Sequence, residues 1–228
     1  DYFDFDARER IDLPDQFSGT ASDSRVSPKL GAAYRFTDKV EIYANWGRGF
    51  HSNDARGVIN PVTPAAGLSL GIGKEGGVRF EVGGVKLTAT YWWLDLDSEL
   101  KFVGDSNSVE PGASTERRGY EVTAFWRPIP TVAVDAVWTG SRGRYVDSPG
   151  EDYIAGAVEN AGELGVALVQ GPWELSARMR YLGGYPLIED NSERADPEMH
   201  VNLRAVWKPG VWNVYGEILN VLDDNAKD

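Results

Sequence analysis

Cysteine is absent from the 228 residues, which excludes a disulfide framework and any thiolate metal site. Histidine is nearly absent: His51 and His200 lie far apart and outside any HExxH-type spacing, so a zinc enzyme has no ligand set to draw on. Basic residues are scarce relative to acidic ones, 23 against 35 for a formal charge of -12, so no nucleic-acid partner is expected. No run of eighteen apolar residues is present to form a transmembrane helix, and the opening DYFDFDARER lacks a signal-peptide layout. Gly71 to Gly77 is rich in glycine but has no GK[ST] ending and no strand-to-helix context, which removes a phosphate loop. Two Met stand against eight Trp and ten Tyr, a β-type composition. The mean hydropathy of -0.37 is compatible with a membrane barrel, because polar lumen residues dilute the apolar ones.

What the sequence does have is alternation with period two. In KLTATYWWLDLD, Leu87, Ala89, Tyr91 and Trp93 share one face, and in GYEVTAFWRP Tyr120, Val122, Ala124 and Trp126 do the same. WELSARMRYL sets Leu175, Ala177, Met179 and Tyr181 against Glu174, Ser176, Arg178 and Arg180. Two arginines and a glutamate cannot sit unpaired in a dry core. Further strands are expected near Tyr2 to Arg8, Lys29 to Phe36, Val40 to Trp46, Gly77 to Val82, Thr131 to Thr139, Ala161 to Gln170, Met199 to Trp207 and Val211 to Val221, eleven in all with the three above. No amphipathic helix is expected.

The connections alternate between two kinds. Tight turns fall at Thr37-Asp38-Lys39, Gly83-Gly84, Arg127-Pro128-Ile129-Pro130, Gly171-Pro172 and Lys208-Pro209-Gly210. Long polar connections run from Gly47 to about Gly76, Asp97 to about Arg118, Ser141 to Asn160 and Gly183 to Glu198. Trp46, Trp93, Trp138 and Tyr181 end the apolar faces of strands rising from tight turns, and Phe36, Trp126 and Trp207 end those of strands descending to them. Two aromatic rings bounding Val, Leu and Ala match the interfacial girdles of a bilayer-spanning barrel. The fold expected is all-β, an antiparallel up-and-down transmembrane β-barrel with short periplasmic turns and long extracellular loops.

RVSPKLGAAYRFTDKVEIYANWGRGFHSNDARG, residues 25 to 57, resembles the barrel of TonB-dependent outer-membrane receptors, in which a PKLG strand, a short turn, an E-[LI]-Y-A strand and a GRGF segment follow in order. WWLDLDSELKFVGD and ERRGYEVTAFWRP look like successive strands of that family. Arg180 to Asp228 resembles its last hairpins, with Asn220-Val221-Leu222-Asp223 as the N-[LV]-[FL]-D element. The resemblance implies about eleven strands of a larger barrel of about 22, with residues 1–228 as part of the barrel domain, and with the plug domain and TonB box outside this chain. It implies a receptor of the bacterial outer membrane that binds a scarce nutrient, siderophore-iron or similar, at extracellular loops and imports it with TonB-supplied energy. The partners implied are the TonB complex, outer-membrane lipid and lipopolysaccharide, and a small nutrient ligand. No bond need be made or broken, so neither an enzyme nor a cofactor is implied.

Arg48, His51, Asp54 and Arg56, just past the strand that ends at Trp46, are candidate substrate or plug contacts at the outer rim; a solvated loop is the plainer use of them. Arg178 and Arg180 belong to a polar face with Glu41, Tyr43, Asn45, Thr88, Thr90, Glu121, Arg127, Asp135, Glu174, Asn202 and Arg204, fitted to hold a hydrated plug or to touch ligand. The acidic runs Asp95 to Glu99, Glu151-Asp152 and Glu189 to Glu198 have the chemistry for Ca²⁺ but no defined calcium-loop spacing. Two other readings are a passive substrate-specific porin, which shares the girdles and loop asymmetry, and a soluble β-rich carbohydrate-active enzyme using two carboxylates about 5 to 9 Å apart.

Overall fold

The computed structural model describes residues 1–8, 18–62, 64–98, 100–103, 108–146 and 148–223. β1 (Tyr2–Ala7) and β2 (Gly19–Ser24) form a hairpin of their own. A longer sheet then begins with β3 (Lys29–Thr37), β4 (Val40–Ser52), β5 (Leu68–Val82) and β6 (Val85–Leu96). A second small hairpin, β7 (Leu100–Val103) with β8 (Ser108–Pro111), interrupts it. The long sheet resumes with β9 (Thr115–Ile129), β10 (Val132–Tyr145), β11 (Asn160–Gln170), β12 (Trp173–Leu182), β13 (Glu198–Trp207) and β14 (Val214–Ile218). Its ten strands are antiparallel and pair in chain order, with β3 and β14 at the two edges. Of the eleven strands read from the sequence, ten lie in this sheet, and the first pairs outside it with β2. Among the described residues the only helix is one turn, α1 (Ala55–Val58).

At one end the strands join through two-residue turns, Asp38-Lys39, Gly83-Gly84, Pro130-Thr131 and Gly171-Pro172, and through the six-residue connection 208–213. Gly83 and Gly84 have φ of 57° and 82°, a pair of left-handed residues whose twist matches that of the strands they join. The other end carries the long connections, but two start later than the loss of alternation suggests. β4 runs to Ser52 and β5 starts at Leu68, so about half of Gly47 to Gly76 is ladder, with Gly47 opposite Gly73 and Gly49 opposite Gly71. β10 likewise continues to Tyr145. Ladder hydrogen bonds are made by backbone groups, so pairing continues where side-chain contrast has stopped. A transmembrane strand needs about 9–11 residues, whereas β5 and β9 have 15 each; these strands stand well clear of the bilayer at the loop end.

The register assigns every side chain to a face. One cross-strand row reads Arg35, Glu41, Arg79, Thr88, Thr123, Val137, Glu163, Arg180, His200. The row displaced by one residue reads Tyr34, Ile42, Val78, Ala89, Val122, Trp138, Gly162, Tyr181, Met199. The sheet is thus polar on one side and apolar on the other, and among the described residues no second layer covers the apolar side. Leu30, Ile42, Phe80, Leu164, Val166, Leu175 and Leu203 are all exposed on it. Aromatics bound this face at both ends: Trp46, Trp93 and Trp138 toward the loops, Phe36, Trp126 and Trp207 toward the turns, each exposed. Trp173 and Trp207 stack at 5.7 Å at the turn end, and Trp138 and Tyr181 at 5.6 Å at the loop end. An apolar area this large has no place in water; it is the lipid-facing wall of a barrel. Most of the buried side chains, Phe5, Asn53, Leu68, Ser69, Thr115, Ile154 and Pro186 among them, lie instead at or beyond the loop ends of the strands, whereas Val206 is buried near the turn end of β13.

Candidate functional site

On the polar face the charges are matched across strands. Glu41 accepts from Arg79 at 2.5 Å and from Arg35 at 3.4 Å, and the Arg79 guanidinium also lies 4.3 Å from the Tyr43 ring. The Tyr43 hydroxyl reaches Thr90 at 2.6 Å across Gly77, where a Cβ would fall 2.5 Å from the tyrosine ring and 2.7 Å from the Ala89 carbonyl oxygen. Asn45 donates to Glu75 at 2.7 Å. Farther along the sheet, Arg178 donates to both oxygens of Asp135, at 3.1 and 3.2 Å, and also to Glu163, which accepts from Arg180 at 3.4 Å. Arg178 and Arg180 therefore stand on the polar wall with their charges balanced in place.

Nearer the loops this face turns bare. Gly47, Gly49, Gly71 and Gly73 form a two-by-two block, and a Cβ at Gly49 or Gly73 would meet nothing within 4 Å. The bare patch is the floor of a trough of about 380 Å³ lined by Lys29, residues 47–51, Gly71, Gly73, Leu94 and Leu96. Leu94 and Leu96 flank it because they pair with Gly73 and Gly71, and Lys29 because it pairs with Gly47. His51 closes one end; its Nε2 is buried without a hydrogen-bond partner. Lys29, Leu94 and Leu96 were not singled out in the sequence, and its glycine-rich stretch Gly71 to Gly77 was weighed only as a phosphate loop. The signal for them is the doubled Gly-x-Gly, 47/49 and 71/73, which forms a block only once the two strands are paired.

The other candidates take different positions. Arg48 falls by register in the same outward row position as Ile72 and Asp95, two residues beyond Trp46 on the apolar face. Asp54 caps α1, accepting from the Arg56 backbone N–H at 2.8 Å and from its guanidinium at 3.0 and 2.7 Å. That guanidinium holds the Asp54 carboxyl below its ordinary range, against a smaller opposing effect of burial, and Asp54 raises Arg56 in return. The pair's evident work is to shape the loop. Asn53 fastens the loop's base, donating to the carbonyl oxygens of Gly67 at 2.9 Å and Ala66 at 2.6 Å.

The connections 146–159 and 183–197 are fastened to one another. The backbone N–H of Tyr153 donates to the Glu189 carbonyl at 3.0 Å, and that of Gly156 to the Pro186 carbonyl at 2.8 Å. Arg194 donates to Glu159 at 2.7 Å, Asn191 at 2.5 Å and the Gly184 carbonyl at 3.0 Å. Arg144 lies 3.6 Å over the Tyr153 ring and 3.6 Å from Asp152. Within the acidic runs, Asp152 thus pairs with arginine, and Asp190 is held below its ordinary range chiefly by the Ser192 backbone N–H; Glu99 lies outside the described residues.

The profile of the family described as TonB dependent receptor-like, beta-barrel matches residues 1–221. Among solved structures, the ferric yersiniabactin uptake receptor FyuA from Yersinia pestis superposes with a TM-score of 0.77 at 18% identity, over 90% of this chain and 33% of its own. The ferripyoverdine receptor of the outer membrane of Pseudomonas aeruginosa gives 0.74 at 16% identity, over 91% and 30%. The copper transporter OprC gives 0.80 at 12% identity, over 100% and 38%. The chain spans about a third of the length of these structures.

Proposed function

Because this chain belongs to the TonB-dependent receptor-like β-barrel family, placed in Gram-negative outer membranes, we propose that it is part of the wall of a receptor that captures a scarce small nutrient outside the cell and imports it with energy from TonB. The long connections would then face outward and the two-residue turns the periplasm. Residues 1–228 serve as a partial barrel domain: a sheet whose edges are β3 and β14 must be continued by further strands, since lipid tolerates no unpaired edge, and about 22 strands close such a plugged barrel. A plug domain with a TonB box completes the machine.

The observation that carries this reading is the glycine-floored trough on the polar face at the loop end. Lys29 supplies a positive charge, His51 an unpartnered ring nitrogen and Leu94 with Leu96 an apolar wall. That combination suits a compact anionic metal chelate with organic ligands, a siderophore-iron complex above all, and the similar structures that carry ferric yersiniabactin, ferripyoverdine or copper support the class of cargo. Arg178 and Arg180, lower on the same wall, hold the plug through water and ion pairs. The test is uptake of iron-55 chelates, ferric citrate and ferripyoverdine among them, by cells whose sole receptor is the full-length protein. Uptake that stops when TonB is deleted supports the proposal. Uptake that continues unchanged without TonB gives the porin reading instead.

A further inference from the structure

The β1–β2 hairpin pairs outside the long sheet, yet one of its faces is packed. Phe5 and Ala7 are buried and Phe3 meets Phe50 edge-on at 5.4 Å, while Tyr2, Asp4 and Asp6 alternate with them and are exposed. Across the ladder the packed face continues in Gly19, Ala21 and Asp23. A carboxylate on a packed face needs a partner. Asp23 accepts from the Leu68 backbone N–H at 3.1 Å, and Arg25, 3.8 Å from Asp23, donates to the Leu68 carbonyl oxygen at 3.3 Å.

Leu68 opens β5 and is 1% exposed, so its backbone groups cannot turn to water. Gly67 accepts from Asn53 on the β4 side, so the N–H and C=O of Leu68 point the other way, beyond the last β5–β6 pair of Gly71 with Leu96. The hairpin's two charged side chains therefore satisfy what the ladder leaves open. Ser69, the next residue, lies directly opposite His51 and accepts from the Ser98 hydroxyl at 2.8 Å. The hairpin also rides on Gly67, where a Cβ would fall 2.9 Å from the Asp23 Cβ and 2.9 Å from the Phe5 ring.

We infer that Asp23 and Arg25 are positioning residues for the glycine-floored trough: by gripping Leu68 they set Ser69 and His51 in place and keep the unpartnered His51 Nε2 covered at the trough's end. The inference rests on the trough being the ligand site, but its test needs no ligand. The full-length receptor in detergent is treated with diethyl pyrocarbonate, and carbethoxylation of each histidine is followed by peptide mass spectrometry. His51 should react slowly in the wild type and about tenfold faster in Asp23→Ala, as loss of a hydrogen bond to a charged group gives. His200, on the polar wall far from the hairpin, should react at the wild-type rate in every variant. Asp23→Asn keeps an acceptor for the Leu68 N–H and should hold His51 within about twofold of the wild-type rate. Gly67→Ala, which lifts the hairpin while leaving Asp23 and Arg25 intact, should match Asp23→Ala and serves if that variant does not fold. Labelling proceeds without cargo, so a failure here is distinct from a failure of chelate uptake. Unchanged His51 rates in both Asp23→Ala and Gly67→Ala, or equal acceleration of His51 and His200, which marks general loosening, would each overturn the inference.

Discussion

At the residue scale, the glycines divide into those that leave room and those that leave none. Gly73 opens onto the trough with nothing near its missing Cβ, so Gly73→Leu should fill the floor. Binding of the transported chelate by the full-length receptor, followed by tryptophan quenching, should weaken tenfold or more, with unfolding free energy changed by no more than about 0.5 kcal/mol. Gly77→Ala should behave in the opposite way: its Cβ would lie 2.7 Å from a backbone carbonyl oxygen that cannot swing aside, so the cost is about 1–3 kcal/mol of stability in urea titrations. Asp54 gives a pH dependence. Its carboxyl is held down in the folded loop by Arg56, so its contribution is complete above the ordinary carboxylate range and is lost as pH falls through the lower, folded value. The protection of residues 53–67 against hydrogen exchange, taken relative to the intrinsic rate at each pH, should therefore fall in acid, and Asp54→Ala, at a cost of about 1 kcal/mol to the cap, should show the same loss of protection at neutral pH. His51 was visible in the sequence as a polar residue past a glycine-bearing strand end. Its trough was not, because Lys29, Leu94 and Gly73 become neighbours only through pairing across four strands.

At the element scale, alternation found the parts of strands that lie in the bilayer and missed the parts above it. The reason is contrast. Between the girdles one face meets hydrocarbon and the other water, so KLTATYWWL alternates; beyond them both faces are wet, and GRGFHS, GTASDS and TERR form strands with no apolar face to announce them. The boundary between the two regimes is itself measurable. Val166, on the lipid side of β11, and its neighbour Ala167, on the polar side, are adjacent apolar residues that face opposite sides of the sheet. Val166→Arg should cost about 2–4 kcal/mol in folding into bilayers, as a cation near the midplane does, while Ala167→Arg should stay within about 1 kcal/mol. The ion-pair ladder will contribute less than its appearance suggests. Arg178 is 45% exposed and Asp135 41%, so Arg178→Ala should lower stability by no more than about 1 kcal/mol despite three recorded hydrogen bonds.

At the scale of the whole molecule, a single sheet separates two solvents and the loops are built on its outward rim. The asymmetry of connection lengths, legible from glycine and proline positions, fixed which end was which. The mutual fastening of 146–159 to 183–197 was not legible, since it depends on backbone donors that carry no side-chain signature and on one arginine, Arg194, among many. Arg194→Ala should raise hydrogen exchange in both segments together, whereas independent loops would respond only in 183–197. Because the two segments are joined into one surface, an antibody raised against the folded protein would meet a discontinuous epitope there. Antibodies raised against the intact protein should recognise the pair and ignore the denatured chain, and linear peptides copied from either segment alone should make poor immunogens.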